Sequence, residues 1–222
     1  MRKMKEWIGL LAGLLGCIGV MLAGYSITPD TTQDLPIAVR LAVTFGKVWL
    51  RLLVPLVVAV ILKDNGYRYG FRRAYLGRQI IAGVVLGFCL TGLGVIEPHL
   101  LEAGEAADAG NRGLQNWTGV ITAFYYIAVI GVTEEVMFRG FVWTRLKKIG
   151  LPDWAVIIAT SVLFGLYHLG GGRWSQIILA VVFGAIMCIC RKKIKFVTTL
   201  SLIIGHGVYD LIIYYLNNMR LR

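Results

Sequence analysis

Apolar positions fall into seven runs, at residues 8–25, 37–62, 79–96, 117–139, 154–169, 176–190 and 196–216, with short polar or basic stretches between them. A helix needs roughly 20 predominantly apolar residues to cross a bilayer. The pattern therefore predicts an all-α, polytopic membrane helix bundle with about seven transmembrane helices. Gly150-Leu151-Pro152 reads as a helix stop and restart between the fourth and fifth runs. No internal repeat, low-complexity tract or linker marks a boundary, so residues 1–222 are expected to form one domain. The first run carries Gly9, Gly13, Gly16 and Gly19, a small-residue face suited to close helix packing. The second places Arg40, Lys47 and Arg51 on one helical stripe, together with Pro55. Snorkelling, or facing the bundle, accounts for that stripe better than a dedicated anion site.

Composition sharpens this picture. The chain is 57% hydrophobic and 16% charged, outside the range of soluble domains. Its formal net charge of +11 sits in short clusters between apolar runs, which reads as topology and attraction to anionic lipid, not nucleic acid. Lys63, Arg68, Arg72, Arg73 and Arg78 mark one cytoplasmic segment, and Arg145, Lys147 and Lys148 another. Asp30 with Asp34, and Glu102, Glu105 and Asp108, mark external ones. The N-terminus is then cytoplasmic, the first span an uncleaved signal anchor, and the C-terminus external. Cys17, Cys89, Cys188 and Cys190 all lie in apolar runs without C-x-x-C spacing and read as packing residues. The short, loop-poor build points to a bacterial plasma membrane.

Candidate chemistry lies in Thr133-Glu134-Glu135-Val136-Met137-Phe138-Arg139, at the end of the fourth run. Ionisable groups in such a setting are costly unless paired or used. Glu135 and Arg139 stand at i,i+4 in the favourable order for an ion pair, a structural role. Glu134 points about 100° away, lacks that partner, and suits a general base. His168 and His206 lie in later runs. Gly150 is sixteen residues after Glu134 (150 − 134) and eighteen before His168 (168 − 150). In an antiparallel hairpin the two side chains then stand within about 3 Å of the same height. Phe164 lies one turn below His168 on the same face, and Gly165 permits close helix approach. Asp210 stands one turn beyond His206, whose flanking Gly205 and Gly207 leave room for a chain or ligand. Packing is the plainer reading of each histidine, and two of them near a Glu-Glu pair weigh against it.

Glu134-Glu135-x-x-x-Arg139, Phe164-x-x-x-His168 and His206-x-x-x-Asp210, in this order on successive apolar segments, resemble the three motifs of the CAAX prenyl protease and bacteriocin-processing (Abi) family of intramembrane proteases. The resemblance covers residues 117–216. It implies an endopeptidase within the bilayer, open toward the cytosol. Glu134 and His168 would activate water, and His206 with Asp210 would serve the oxyanion. An ionised Asp210 cannot donate a hydrogen bond, so either it is protonated or it holds His206 as imidazolium or in one tautomer. Family enzymes acting on prenylated proteins tend to have an extra span, which speaks against naming a specific substrate; in a bacterial plasma membrane a peptide pheromone, bacteriocin leader or membrane anchor segment is expected in place of a prenylated protein. Two histidines and carboxylates could hold zinc, but H-E-x-x-H is absent and no cofactor is expected. The alternative class is a non-catalytic membrane protein, such as a bacteriocin self-immunity or scaffold protein of the same fold. A proton-coupled transporter is a third, disfavoured because no paired halves with matching broken segments are seen.

Overall fold

The structure is a computed structural model that describes residues 2–25, 34–63, 69–96, 119–171 and 174–220. Among these described residues seven helices follow one another: α1 (Arg2–Tyr25), α2 (Ile37–Ile61), α3 (Leu76–Ile96), α4 (Gly119–Ile149), α5 (Asp153–Tyr167), α6 (Trp174–Lys193) and α7 (Thr199–Arg220). A single 3₁₀ turn, His168–Gly171, extends α5, and no strand occurs among the described residues. Asp30, Arg68, Glu102, Glu105 and Asp108, on which the expected topology rests in part, lie outside the described residues.

Among the described residues five helices (α1, α2, α4, α6 and α7) are long and apolar enough to cross a membrane. The expectation of seven such spans is met only in part. Leu76–Gly92 and Asp153–Tyr167 are apolar but shorter. Pro152 starts α5 and the 3₁₀ turn ends it after 15 residues, about 22 Å at 1.5 Å per residue, short of a hydrocarbon core of about 30 Å. Large apolar side chains such as Val60, Ile81, Ile178 and Leu15 face outward, as lipid contact requires and water does not favour. The chain is an integral membrane protein.

The core joins all the helices. Leu10 and Cys17 of α1, Leu86 and Leu90 of α3, Phe138 and Phe141 of α4, Phe164 of α5, Met187 of α6 and Leu202 of α7 form one buried cluster, with Val54 and Val58 of α2 against it. Small residues set how closely the helices approach. A Cβ on Gly87 of α3 would stand 2.8 Å from the Gly205 carbonyl of α7, and one on Gly207 would stand 2.5 Å from Ile127 Cα of α4. The room beside His206 is thus filled by neighbouring helices, where the sequence reading left it for a chain or ligand. Gly165 has the expected use: its missing side chain admits Val181 and the Ile177 carbonyl of α6.

Polar contacts gather at one end. Gly150, at φ +100°, closes α4 in the left-handed conformation that favours glycine. Nearby, Asp153 pairs with Lys147 at 2.7 Å and with Lys192 at 2.5 Å. Lys5 Nζ donates to the Leu62 carbonyl at 2.7 Å, bringing the N-terminus to the end of α2. Arg145 is a correction to its reading as a loop cation. It is buried and pairs with Glu6 of α1 at 2.5 Å, with its guanidinium over Phe141. Removing one member of such a pair would leave an uncompensated buried charge.

Candidate active site

The site is built on an irregularity in α4. Residues Val132–Glu135 form one short α-helical stretch between two π-helical ones, Tyr125–Gly131 and Val136–Val142. Such wide turns are rare and favour functional positions. They change which backbone carbonyls are free to accept, and buried carbonyls need donors. Here neighbouring side chains reach both stretches. Trp49 Nε1 of α2 donates to the Ala128 carbonyl at 3.4 Å, and Arg191 of α6 donates to the Arg139 carbonyl.

Glu134 leaves the tight stretch toward two histidines on different helices. Its Oε2 lies 3.9 Å from His168 Nε2 and 3.8 Å from His206 Nε2. Both separations exceed a direct hydrogen bond. The other ring nitrogens are anchored. His168 Nδ1 is 2.9 Å from the Phe164 carbonyl, which can only accept, so Nδ1 carries the proton and Nε2 presents a lone pair in the neutral ring. His206 Nδ1 is 2.8 Å from Glu135 Oε1, and there too the ring nitrogen donates to an ionised carboxylate. Asp210 Oδ2 lies 3.4 Å from His206 Nε2. The side chains of His168 and Asp210 are 23% and 20% exposed, against 10% for Glu134 and 6% for His206. The cluster therefore opens on the side of His168 and Asp210.

Behind it lies a closed layer. Glu135 and Arg139 are fully buried and pair at 2.8 Å through the same Oε1 that accepts from His206. Beyond the structural role expected of it, the pair is tied to His206 through Glu135 Oε1. Arg139 stacks its guanidinium 4.2 Å from the centre of the Phe164 ring. Phe164 in turn meets His168 edge-on at 4.9 Å and His206 at 5.9 Å. Gly184 of α6 makes the space, since a Cβ there would stand 3.3 Å from both Arg139 and Phe164.

The sequence pattern assigns neither of two further residues to this site. Arg51 of α2 donates to the Tyr167 hydroxyl at 2.9 Å, and Tyr167 packs edge-on against His168 at 5.6 Å and Phe138 at 5.4 Å. The basic stripe of α2 was the available signal, and bundle-facing is the half of that reading Arg51 fits. Glu135 as the partner of His206 had no signal, because the two are 71 residues apart. Among the described residues no three His, Cys, Asp or Glu side chains are arranged to hold a metal ion.

Residues 115–212 match the family model described as type II CAAX prenyl endopeptidase Rce1-like. The matched stretch is just under half of the 222-residue chain and contains Glu134, Glu135, Arg139, Phe164, His168, His206 and Asp210. The resemblance to the CAAX protease family is thereby shown for the part of the chain that carries the site. No curated protein and no solved structure matches the chain.

Proposed function

We propose that this protein is an intramembrane endopeptidase of the CAAX protease type, hydrolysing a membrane-associated peptide with water activated by Glu134 and His168. The observation that carries the reading is the placing of Glu134 Oε2 at 3.9 Å and 3.8 Å from the Nε2 atoms of two histidines. One water fits between polar groups at that separation. Glu134 takes a proton from the water, whose other hydrogen is held by the lone pair of His168 Nε2. The hydroxide adds to the scissile carbonyl and the carbonyl electron pair moves to oxygen. Because His206 Nδ1–H is committed to Glu135, Nε2 carries a hydrogen only in the imidazolium. In that form it donates to the oxyanion. Asp210, 3.4 Å away, holds the charged ring in place. Collapse of the intermediate expels the amine, which takes its proton from Glu134, and the carboxylate is restored. No step requires a metal ion.

The wider reading is a single domain with seven membrane helices, α3 and α5 included. Its N-terminus is cytoplasmic, with Glu6, Lys147, Asp153 and Lys192 gathered at the cytoplasmic end. The membrane is a bacterial plasma membrane, and the substrate a leader, pheromone or anchor segment.

The test compares membrane peptide products by mass spectrometry between wild type, Glu134→Gln and His168→Ala, with protein levels measured in parallel. Loss of a proton-transfer group lowers turnover by about 10²- to 10⁴-fold. Both variants are expected to accumulate normally and to lose products that wild type makes. Full retention of products in both would overturn the protease reading in favour of a non-catalytic scaffold.

A further inference from the structure

We propose that a cationic hollow between the starts of α3 and α7 binds the phosphate of an anionic lipid headgroup. The hollow is a cavity of about 90 Å³ with Arg72 and Lys195 on its rim, Tyr75 and Phe196 as walls, and Gln79 and Thr198 beneath. It shares no residue with the Glu134 site.

Three observations point to a ligand. The first is charge. Arg78 stands over both walls, 5.3 Å from the Tyr75 ring and 5.0 Å from Phe196, and Lys195 Nζ lies 5.9 Å from Phe196. Among the described residues no carboxylate pairs with Arg72, Arg78 or Lys195. Like charges converging without a counter-ion favour an anion between them.

The second is rigidity. Gln79 is buried, donates to the Arg72 carbonyl at 2.9 Å and the Ala74 carbonyl at 2.6 Å, and accepts from Thr198 Oγ1. The rim is thereby fixed to both helices. Tyr75 sits at φ +59°, a left-handed conformation that a bulky residue rarely adopts. Strain of this kind concentrates at ligand clamps.

The third is what adjoins the hollow. Leu76, Ile80, Ile81, Val85 and Phe88 stand exposed along one side of α3, which rises directly from the hollow. A phosphate held at the rim would leave acyl chains lying on that stripe, so the observations favour a lipid over free phosphate. Basic pockets between membrane helices at the cytoplasmic side are suited to such headgroups.

The experiment titrates the full-length protein in phosphatidylcholine nanodiscs with phosphatidylglycerol, and separately with inorganic phosphate. Saturable uptake of phosphatidylglycerol is expected. One interfacial cation accounts for about a five-fold change in binding, so Arg72→Ala with Lys195→Ala should weaken uptake by about thirty-fold. Lys193→Ala removes a charge nearby but outside the hollow and should leave uptake unchanged. The charge-conserving pair Arg72→Lys with Lys195→Arg should retain it. If the double alanine variant does not fold, Arg72→Gln and Lys195→Gln tested singly should each give about a five-fold loss. Wild-type uptake in the alanine or glutamine variants would overturn the proposal, as would an equal loss in Lys193→Ala. Inorganic phosphate binding as tightly as phosphatidylglycerol would overturn the lipid assignment.

Discussion

The end of α5 and the middle of α7 each deliver one histidine to Glu134, at 3.9 Å and 3.8 Å, by different physical means. His168 stands where a helix runs out. The last carbonyls of a helix lack intrahelical donors, and His168 Nδ1 satisfies that of Phe164, four residues earlier. Its orientation is therefore a local matter of backbone and spacing. His206 stands mid-helix, where carbonyls are already used. Its Nδ1 needs a partner from elsewhere, and Glu135 of α4 supplies it while also holding buried Arg139. One nitrogen is presented by chain termination and the other by a buried charge network. The second is the more fragile arrangement, since its anchor is a side chain that substitution can remove.

The largest effect expected from that contrast follows Glu135→Gln. It leaves Arg139, with no exposed surface, without its carboxylate, and breaking such a pair costs about 3–5 kcal/mol. Thermal unfolding in detergent micelles should show it. Replacing the pair together, as Glu135→Leu with Arg139→Leu, should recover most of the stability, because apolar substitutes for a buried pair are well tolerated. Peptide cleavage should still fall, as His206 has lost its anchor. A double variant both stable and fully active would remove the distinction between the two histidines.

Gly207→Ala should come next. Its Cβ would stand 2.5 Å from Ile127 Cα, so the contact that seats His206 against α4 must open. Overpacking of this kind costs about 1–3 kcal/mol, and cleavage should drop with it. Gly19→Ala makes the same change inside a helix but meets nothing within 4 Å, and serves as the clash-free control in the same melts. The smallest change is expected from Tyr167→Phe, which removes only the hydrogen bond from Arg51 beside His168. Arg51 is half-buried, and loss of one such bond costs about 1 kcal/mol. A melt displaced as far as that of Glu135→Gln would show that the His168 side also depends on a buried polar network.

These differences track what could be read before folding. Seven helical segments, the Gly150 stop, and the pairings Glu135 with Arg139, Phe164 with His168 and Asp210 with His206 all rest on periodicity or on a separation of four residues. Such relations survive from chain to structure because a helix enforces them. The height match of Glu134 and His168 across the hairpin was legible too, since only a turn intervenes. The burial of Arg145 was not legible, because its partner Glu6 lies 139 residues away and hydropathy treats both as loop charges. Nor were the wide turns of α4, whose Ala128 and Arg139 carbonyls accept from Trp49 and Arg191 of other helices.

The amino-acid sequence by itself determined the membrane class, the helices and the identity of the polar side chains placed in them, because apolar length and helical spacing are properties of neighbours. Only the tertiary structure decided which carboxylate holds His206, and that Glu135 joins Arg139 to the site. It also decided that the glycines around His206 seat helices against one another. Those outcomes depend on the azimuth at which α4 and α7 meet, which residues far apart along the chain set together by close packing.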